Sequence, residues 1–512
     1  MAERAGTLLV AAALFLGGCH TLLPLSPKDD ANEHRVDAPR DGAVVDGTGT
    51  DTRSAFDLGP HDLQVDLLVV DGPRTDQKLP QPPGSCVWSR SFGSTSTAVG
   101  VSVATGAGLV CAAGYFKGTA DFGAGSVKAK GVFDVFVVCT DTLGQIKWSR
   151  TFGASGAEAY ARAVSVDQGG NVFITGFYSG SLDFGGGALS STGGSQDIFV
   201  AAFGPTGSHL WSKHFGAKKE DWGYGAAVDG KGSLWLTGHF QDQVDFGGGL
   251  LAAQSSANIY IVKLATSDGA HLWSKAFGAQ IGDWGFWTAT GPGGGVHVTG
   301  FFSKTVDFGG GPISAAAKLD ALLVSLTTGG GHLWSGGFGG KEEDRGEGVA
   351  VDSLGNTYAT GRFMDQVDFG GGALTSAGSF DVFLGSYDTN GNHRWSRRFG
   401  GTLHDGGRSV AVDKSDNVIA AGYFAGTATF GGATLTSKGG RDIFVTSFDS
   451  GGKPRWSRSF GAAGEDEGHG VAADSTGLFV TGKFQDTVDL GCAQGPLTSQ
   501  GGDDVFLVRL AP

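Results

Sequence analysis

The chain has 512 residues, which exceeds the size at which one compact core usually stops growing, so it must form several domains or a repeat architecture. Its 92 glycines, 11 tryptophans and 35 phenylalanines favour many short strands that are joined by tight turns and packed through aromatic rings. The formal net charge of −14 argues against a nucleic-acid partner, because phosphate binding needs clustered Lys and Arg side chains.

The first residues have the layout of a secretion signal. Arg4 precedes an apolar run from Leu8 to Leu16 that is too short to span a bilayer. The run ends in Leu16-Gly-Gly-Cys19, which resembles the lipobox of bacterial lipoproteins. This resemblance implies a signal peptide over residues 1–18, a lipid on Cys19 that anchors the chain to a membrane, and delivery to the outer membrane, since His20 and not Asp follows the cysteine. Plain secretion is the alternative.

Residues 19–85 are predicted to form a flexible, acidic and Pro-rich tether. The segment has no Trp or Tyr and is rich in Asp, Pro, Gly and Thr, so it offers little material for a core. A small pair of strands around residues 63–70 is the alternative. We expect the tether to hold the body of the protein clear of the membrane.

From residue 86 onward one unit recurs about every sixty residues. A Trp-Ser pair followed two residues later by Phe-Gly marks each copy, as in Trp211 to Gly216. The tryptophans are Trp88, Trp148, Trp211, Trp273, Trp334, Trp395 and Trp456. A fixed period of this length indicates a closed or stacked array of supersecondary units, and we expect these tryptophans to pack between neighbouring units.

Each unit contains four strand-like runs, which we call a, b, c and d. In one copy they are 348–352, 357–363, 381–387 and 393–399. Asn-Gly and Gly-Asn turns separate a from b and c from d, which is typical of antiparallel hairpins. The sequence therefore predicts an all-β fold, a seven-bladed β-propeller of four-stranded antiparallel blades over residues 86–512.

The order of the strands predicts how the ring closes. A d-type run at 86–92 comes before the first a strand, and the last c strand at 504–510 has no d strand after it. We expect this N-terminal strand to pair with the last c strand and complete blade seven, so that the ring closes with no exposed inner edge.

The unit that begins at Asp344 carries a family resemblance. The run Asp344-Arg-Gly-Glu-Gly-Val-Ala-Val-Asp352, followed by Ser353-Leu-Gly-Asn-Thr-Tyr-Ala-Thr-Gly361, resembles the SBBP-type bacterial β-propeller repeat. The resemblance implies a secreted or surface protein without shared catalytic residues. The Val-Asp-Phe-Gly-Gly-Gly connector that follows in several units departs from that pattern.

Two series of aspartates recur at equivalent positions. The first, which we call the ring aspartates, begins strand a: Asp221, Asp283, Asp344, Asp405 and Asp466. A ring of carboxylates could hold Ca²⁺, which makes calcium the candidate cofactor; alternatively each Asp caps its turn through the amide of the Gly two residues later. The second series lies in the connector and is predicted to anchor turns: Asp121, Asp183, Asp245, Asp307, Asp368 and Asp489.

Aromatic residues outside the periodic positions concentrate in blades three and four. They are Trp222, Tyr224, Trp235, Trp284, Phe286 and Trp287. An aromatic patch beside acidic groups suits a glycan or peptide ligand, through stacking and hydrogen bonds. Local loop packing is the alternative.

Four cysteines of the body can pair in an oxidising compartment. If strands b and c of blade one are in register, Cys111 lies opposite Cys139, so we expect these two to be bonded or in contact. We expect Cys86 and Cys492 to be unpaired, because the start of a d strand and the b-to-c connector are placed on opposite faces.

The sequence thus favours a surface-tethered, non-enzymatic binding or scaffold propeller. The alternative is a propeller enzyme, either a carbohydrate-active hydrolase or lyase with paired carboxylates or a quinone-dependent dehydrogenase. No Ser-His-Asp order, HExxH motif or phosphate-binding loop with Lys supports another chemistry.

Overall fold

A computed structural model describes residues 81–254, 256–278 and 282–512. The chain divides into two units, Met1–Gln77 and Lys78–Pro512. The predicted signal peptide, Cys19 and nearly all of the predicted tether lie outside the described residues. The described part contains no helix that could span a bilayer.

The second unit consists of short strands. The first group is β1 (Cys86–Phe92), β2 (Thr97–Gly106), β3 (Leu109–Lys117), β4 (Thr119–Asp121), β5 (Ser126–Lys128), β6 (Asp134–Asp141), β7 (Ile146–Phe152), β8 (Glu158–Val166), β9 (Val172–Ser179), β10 (Ser181–Asp183), β11 (Ala188–Ser190), β12 (Asp197–Phe203) and β13 (His209–Phe215). The second group is β14 (Asp221–Val228), β15 (Ser233–Phe240), β16 (Gln243–Asp245), β17 (Leu250–Ala252), β18 (Asn258–Ala265), β19 (His271–Phe277), β20 (Trp284–Thr290), β21 (Val296–Phe302), β22 (Thr305–Asp307), β23 (Pro312–Ser314), β24 (Asp320–Leu326) and β25 (His332–Phe338). The third group is β26 (Arg345–Val351), β27 (Thr357–Phe363), β28 (Gln366–Asp368), β29 (Ala373–Thr375), β30 (Asp381–Tyr387), β31 (His393–Phe399), β32 (Gly406–Val412), β33 (Val418–Phe430), β34 (Ala433–Phe448), β35 (Pro454–Phe460), β36 (Glu467–Ala473), β37 (Leu478–Phe484), β38 (Thr487–Val488), β39 (Leu497–Thr498) and β40 (Asp504–Leu510).

These strands form seven four-stranded antiparallel sheets, which confirms the predicted seven-bladed propeller. The orders from a to d are β2-β3-β6-β7, β8-β9-β12-β13, β14-β15-β18-β19, β20-β21-β24-β25, β26-β27-β30-β31, β32-β33-β34-β35 and β36-β37-β40-β1. Strand a of each blade contacts strand a of both neighbours, so the seven a strands form a closed ring at the centre. Apolar side chains that alternate along strands b and c fill the space between neighbouring blades.

Closure by the N-terminal strand is confirmed. Strand β1 pairs antiparallel with β40, and Phe92 lies opposite Val505. The segment before β1 continues the contact, because the amide of Gly84 donates to the carbonyl of Ala511 over 2.9 Å. Blade seven therefore contains both ends of the described chain, and its outer edge is covered in the same way as in the other blades.

The periodic tryptophans pack between blades, as expected. The indole N–H of Trp148 donates to the carbonyl of Pro205 in the c-to-d turn of the next blade, over 3.0 Å. A Cβ on Gly207 in that turn would lie 2.7 Å from the Trp148 ring, so only glycine fits there. The same Trp–Gly contact recurs around the ring and ends with Trp456 against Gly84.

The b-to-c connector of six blades is a short hairpin that folds back along its own blade, and in blade six it continues strands b and c. Its second strand contacts the outer strand d in most blades, as β11 contacts β13. In four blades its middle glycine touches the His at the start of strand d, as Gly186 touches His209, and leaves no room for a side chain. Oδ1 of Asp183 accepts from the amides of Gly185 and Gly187 at 2.7 and 3.1 Å, so this series anchors turns as predicted.

This hairpin explains why one cysteine prediction was wrong. Cys86 and Cys492 form a disulfide. Cys492 occupies the connector position of Gly186, and Cys86 occupies the strand-d position of His209. The two positions were placed on opposite faces, whereas the connector brings them into contact, so the bond links β1 covalently to the blade that it completes.

The other cysteine prediction is confirmed. Cys111 lies directly opposite Cys139 in the pairing of β3 with β6, and the two form a disulfide. Both side chains are fully buried in the cluster between blades one and two.

Candidate binding site at the mouth of the central ring

We call the end of the ring at which the a strands begin the mouth. The backbone has the same irregularity in every blade at this end. Each strand a carries a β-bulge near its start, and the unpaired residue of the bulge is Val101, Arg162, Tyr224, Phe286, Glu347, Arg408 or His469. Two residues before the bulge residue, strand a pairs directly with strand b. Bulges redirect side chains, and here they place one residue per blade where it can contact the next blade.

Blades two to four carry aromatic side chains at the paired positions, and blades three and four also carry them at the bulge. We call the following set the aromatic half: Tyr160, Phe177, Trp222, Tyr224, His239, Trp284, Phe286 and Phe301. The rings form a continuous cluster, with centroid separations of 4.6 Å for Phe177–Trp222, 5.5 Å for Trp222–Trp284 and 5.0 Å for Tyr224–Phe286. Tyr224, Trp284 and Phe286 are partly exposed, whereas Trp222 is buried beneath them.

His239 supports the exposed indole of Trp284. The two rings are stacked, with centroids 4.2 Å apart and planes at 14°. His239 is buried, and burial lowers its pKa to about 3, so the imidazole stays neutral at physiological pH. The pair is therefore a neutral stack that fixes the orientation of Trp284.

A cation borders the aromatic half on the side of blade two. The guanidinium of Arg162 lies 5.2 Å from the ring centroid of Phe177 and 5.5 Å from that of Tyr224. Such contacts hold the side chain against the rings and keep a positive charge beside them.

Blades five and seven carry charged side chains at the paired positions, and blades five and six carry them at the bulge; Arg441 joins them from strand c of blade six. We call the following set the charged half: Arg345, Glu347, Arg362, Arg408, Arg441, Glu467, His469 and Lys483. Glu347 accepts from Arg408 at 2.6 Å and lies 3.4 Å from Arg362, and Glu467 accepts from Arg441 at 2.8 Å. Although burial opposes it, the neighbouring Arg408 and Arg362 hold the pKa of Glu347 below its usual value.

Two of the predicted ligand-binding residues lie apart from the mouth cluster. Trp235 is fully buried in the apolar cluster that fills the space between blades three and four, where its ring lies 5.8 Å from that of Trp273. Trp287 follows the bulge, pairs with Thr299 and packs against the cluster between blades four and five. The other four residues, Trp222, Tyr224, Trp284 and Phe286, are brought together.

The five ring aspartates are buried and bind backbone amides. Asp221 accepts from the amide of Ala217 at 2.8 Å through Oδ2 and from that of Gln241 at 2.9 Å through Oδ1. The expectation of a cap through the Gly two residues later is therefore wrong for Asp221, whose carboxylate joins the d-to-a loop to the start of the b-to-c connector. Asp344, Asp405 and Asp466 accept the same pair of bonds, and Asp283 accepts from the amide of Ser303 through Oδ1.

Burial is the largest influence on the pKa of these aspartates. It raises the pKa to about 7 for Asp221 and Asp344 and to about 6 for Asp405 and Asp466, although the amide bonds act in the opposite direction. Within the described residues, no group of three or more His, Cys, Asp and Glu side chains is arranged to hold a metal ion. Calcium binding by the ring aspartates stays a prediction.

Sequence reasoning missed Phe177, Arg162 and His239. All three lie at or opposite the bulged start of strand a, where other blades also have aromatic or charged residues. An alignment of the repeats on the bulge, rather than on the ring aspartate, would have grouped these residues. The bulge itself has no fixed residue, which is why no motif revealed it.

Comparison with known proteins finds structural likenesses at low scores and no family. No protein-family model matches the chain, and no curated protein matches it. The chain is similar to the Dos1 propeller (TM-score 0.38, 10% identity, 83% of this chain and 95% of that one). It is also similar to BamB from Moraxella catarrhalis (TM-score 0.34, 9% identity, 83% and 99%) and to a quinohemoprotein alcohol dehydrogenase from Comamonas testosteroni (TM-score 0.37, 9% identity, 84% and 78%). At such scores these likenesses carry no argument about function.

Proposed function

We propose that this chain is a binding propeller whose ligand, a glycan or a peptide, contacts the aromatic half of the mouth. The observation that carries the proposal is the partial exposure of Tyr224, Trp284 and Phe286 on a cluster of buried rings. Inter-blade packing is supplied elsewhere by the periodic tryptophans, so the fold does not require three exposed rings at this end. Rigid aromatic rings supply large contact areas at a low cost in conformational entropy, which suits them to recognition.

The tether and membrane anchor form part of this proposal and rest on the sequence. The lipobox resemblance at Cys19 supports a lipid anchor and an outer-membrane location, and the composition of residues 19–85 supports a flexible spacer. Such a spacer would hold the body of the protein clear of the membrane.

No observation on the described residues specifically favours an enzyme. A glycoside hydrolase needs a carboxyl group with a raised pKa in contact with substrate. Arg408 and Arg362 hold the pKa of Glu347 below its usual value, and the hydrogen bond with His469, followed by the charge of Arg408, holds the pKa of Glu467 well below its usual value despite burial. The ring aspartates have raised pKa values, but backbone amides engage both oxygens of at least four of them.

The test is a screen of the full chain against glycan and peptide arrays, followed by the Tyr224→Ala, Trp284→Ala double variant. We expect at least tenfold weaker binding of any ligand found, because these rings are accessible and their loss leaves the Trp222–Phe177 stack beneath intact. Leu333→Ala, which truncates an exposed side chain on the outer strand of blade four, is the control and should bind normally. Unchanged affinity in the double variant would refute the site.

A further inference from the structure

Arg162, at the bulge of blade two, differs from the other arginines of the mouth. Arg345, Arg362, Arg408 and Arg441 each form an ion pair with a glutamate, at 2.6–3.4 Å. Within the part of the chain that the structure describes, no Asp or Glu forms an ion pair with Arg162. Its Nε is buried without a hydrogen-bond partner. The aromatic half is therefore bordered by a cation that no carboxylate of the described chain neutralises.

The repeat shows what neutralises an arginine at this position. Arg408 is the bulge residue of blade six. It pairs with Glu347 at the bulge of the preceding blade and with Glu467 at the paired position of the following blade, at 2.6 and 3.7 Å. The equivalent positions on either side of blade two hold Val101 and Trp222. The same backbone thus offers two carboxylates to the arginine of blade six and none to the arginine of blade two.

Aromatic rings hold the guanidinium of Arg162 in place but leave its hydrogen-bonding capacity unused. Its carbon lies 5.2 Å from the ring centroid of Phe177 and 6.0 Å from that of Tyr160. A guanidinium has five N–H donors, and buried donors in proteins are nearly always paired. Glu158, the acid on the same strand, accepts from Nε2 of Gln196 at 3.3 Å instead. An anion from outside the chain would supply the acceptor that Arg162 lacks.

The partly exposed rings of the aromatic half begin beside this guanidinium. Arg162 lies 5.5 Å from the ring centroid of Tyr224, and the Tyr224 centroid lies 5.0 Å from that of Phe286 and 6.0 Å from that of Trp284. A ligand that carries an anion next to an apolar group can therefore contact the cation and the rings together.

The stacking of these rings favours a peptide over a glycan. His239 is stacked on Trp284 with centroids 4.2 Å apart, and Tyr224 has the guanidinium of Arg162 over its ring and Trp284 stacked beside it. Neighbouring groups thus already occupy ring faces on which a sugar would stack. Apolar side chains of a peptide pack against the edges of aromatic rings as well as against their faces.

We infer that the ligand of the mouth is the free C-terminus of a peptide, whose terminal carboxylate binds Arg162 and whose last side chain, an apolar one, packs on the exposed rings of the aromatic half. The inference rests on the proposed function and adds the class of ligand. A guanidinium binds a carboxylate through paired, charge-assisted hydrogen bonds. A C-terminal residue carries its carboxylate and its side chain on one carbon, so it reaches both partners at a smaller ordering cost than an acidic residue followed by an apolar one.

The experiment compares each peptide with its own C-terminal amide. The full chain is titrated calorimetrically with N-acetylated peptides of the sequence Gly-Ser-Gly-Xaa, in which Xaa is Phe, Tyr, Trp, Leu, Ile, Val or Met, as free acids and as amides. The amide keeps the side chain and removes the charge. We expect at least one acid to bind at least tenfold more tightly than its amide, and we expect added salt to reduce the difference. Arg162→Gln should weaken binding of that acid at least tenfold and close most of the gap between acid and amide.

The ratio of the two affinities separates recognition from a structural role. If Arg162 bound the carboxylate, Arg162→Gln would weaken the acid and spare the amide. Equal weakening of acid and amide would show that the side chain only supports the rings, and would overturn the inference. Arg455→Gln, which removes an exposed cation from the outer strand of blade six, is the matched control and should leave both affinities unchanged.

The outcomes distinguish this inference from the proposed function. Equal affinity of the parent protein for acid and amide, with loss of both in the Tyr224→Ala, Trp284→Ala variant, would overturn the carboxylate contact and leave the aromatic site standing. Binding of glycans on the array but of no peptide would overturn the peptide class. Failure of every acid and amide would overturn the inference, and unchanged array binding in the double variant would then overturn the proposed function as well.

Discussion

The aromatic half and the charged half of the mouth are built on one backbone. In blades three and four, as in blades five to seven, strand a begins beside a buried ring aspartate, pairs directly with strand b and then bulges by one residue. At the bulge, blades three and four have Tyr224 and Phe286, whose rings contact each other, whereas blades five and six have Glu347 and Arg408, which form an ion pair. The same positions thus carry either chemistry without any change of register.

This equivalence shows where the fold is stabilised. The Trp–Gly contacts between blades, the aspartate bonds to backbone amides and the apolar clusters recur in both halves, and none of them uses the mouth positions. The residues of the mouth are therefore free to differ from blade to blade, and the proposed function assigns recognition to these differences.

The strongest way to break the comparison is to open the ring, because the two halves share one mouth only while blade seven is complete. Deletion of residues 86–93 removes strand β1, Trp88 and the Cys86–Cys492 disulfide. We expect loss of cooperative thermal unfolding and aggregation through the exposed edge of β40, as measured by calorimetry and light scattering.

The Cys86→Ser, Cys492→Ser variant is the control for the covalent part of closure. It keeps β1 paired with β40, so it should unfold cooperatively with a free energy of unfolding lower by about 2–4 kcal/mol. A deletion variant that melts like this double variant would show that strand pairing contributes nothing to closure.

A second change tests whether the halves differ in their tolerance of substitution. Glu347→Gln removes the buried acid that Arg362 and Arg408 share, and we expect a loss of about 3 kcal/mol in the free energy of unfolding, because uncompensated buried charges remain. Phe286→Leu at the same bulge position in blade four should cost about 1 kcal/mol. Urea denaturation of both variants checks the comparison, and equal losses would contradict it.

The last test concerns a support that both halves share, and its effect depends on pH. The folded-state pKa of Asp221 in blade three and that of Asp344 in blade five are both about 7, above the unfolded value of 3.8. The folded state therefore binds more protons between pH 4 and 7, so the stabilising contribution of each group is present at low pH and is lost as the pH rises towards 7. The stability advantage of the parent protein over Asp221→Asn or Asp344→Asn should thus grow as the pH falls from 8 to 5.

Comparison of Asp221→Asn with Asp344→Asn tests whether the two halves affect the ring aspartates equally. The two variants lie in different halves but remove equivalent bonds, so their pH profiles should coincide. Each unit of pKa shift corresponds to about 1.4 kcal/mol, which guanidinium denaturation at several pH values can resolve. A profile that differs between the halves would show that the mouth chemistry reaches the aspartates beneath it.

Sequence reasoning predicted the architecture because the repeat encodes it several times over. The Trp period, the hairpin turns and the strand order each indicated seven blades, and the leftover d strand at 86–92 indicated how the ring closes. The pairing of Cys111 with Cys139 followed from antiparallel register alone. These features are local, or depend on counting, and need no knowledge of how one segment folds over another.

The path of the b-to-c connector and the grouping at the mouth depended on three-dimensional packing. Cys86 and Cys492 are 406 residues apart and meet because a hairpin folds back along blade seven, which no spacing in the sequence indicates. Trp235 and Trp284 both stand outside the periodic tryptophan positions in the sequence. Trp235 nevertheless lies between blades, whereas Trp284 lies at the mouth.

By itself, then, the sequence determined the number of blades, the strand order and the closure, because those follow from periodicity and from the alternation of buried and exposed positions along each strand. Only the tertiary structure decided which aromatic rings reach the mouth, that Arg345 faces Arg362, and that the ring aspartates bind amides on both sides. The physical reason is that a β-bulge and a folded-back hairpin set the direction of a side chain through backbone geometry, and several different residues fit the same geometry.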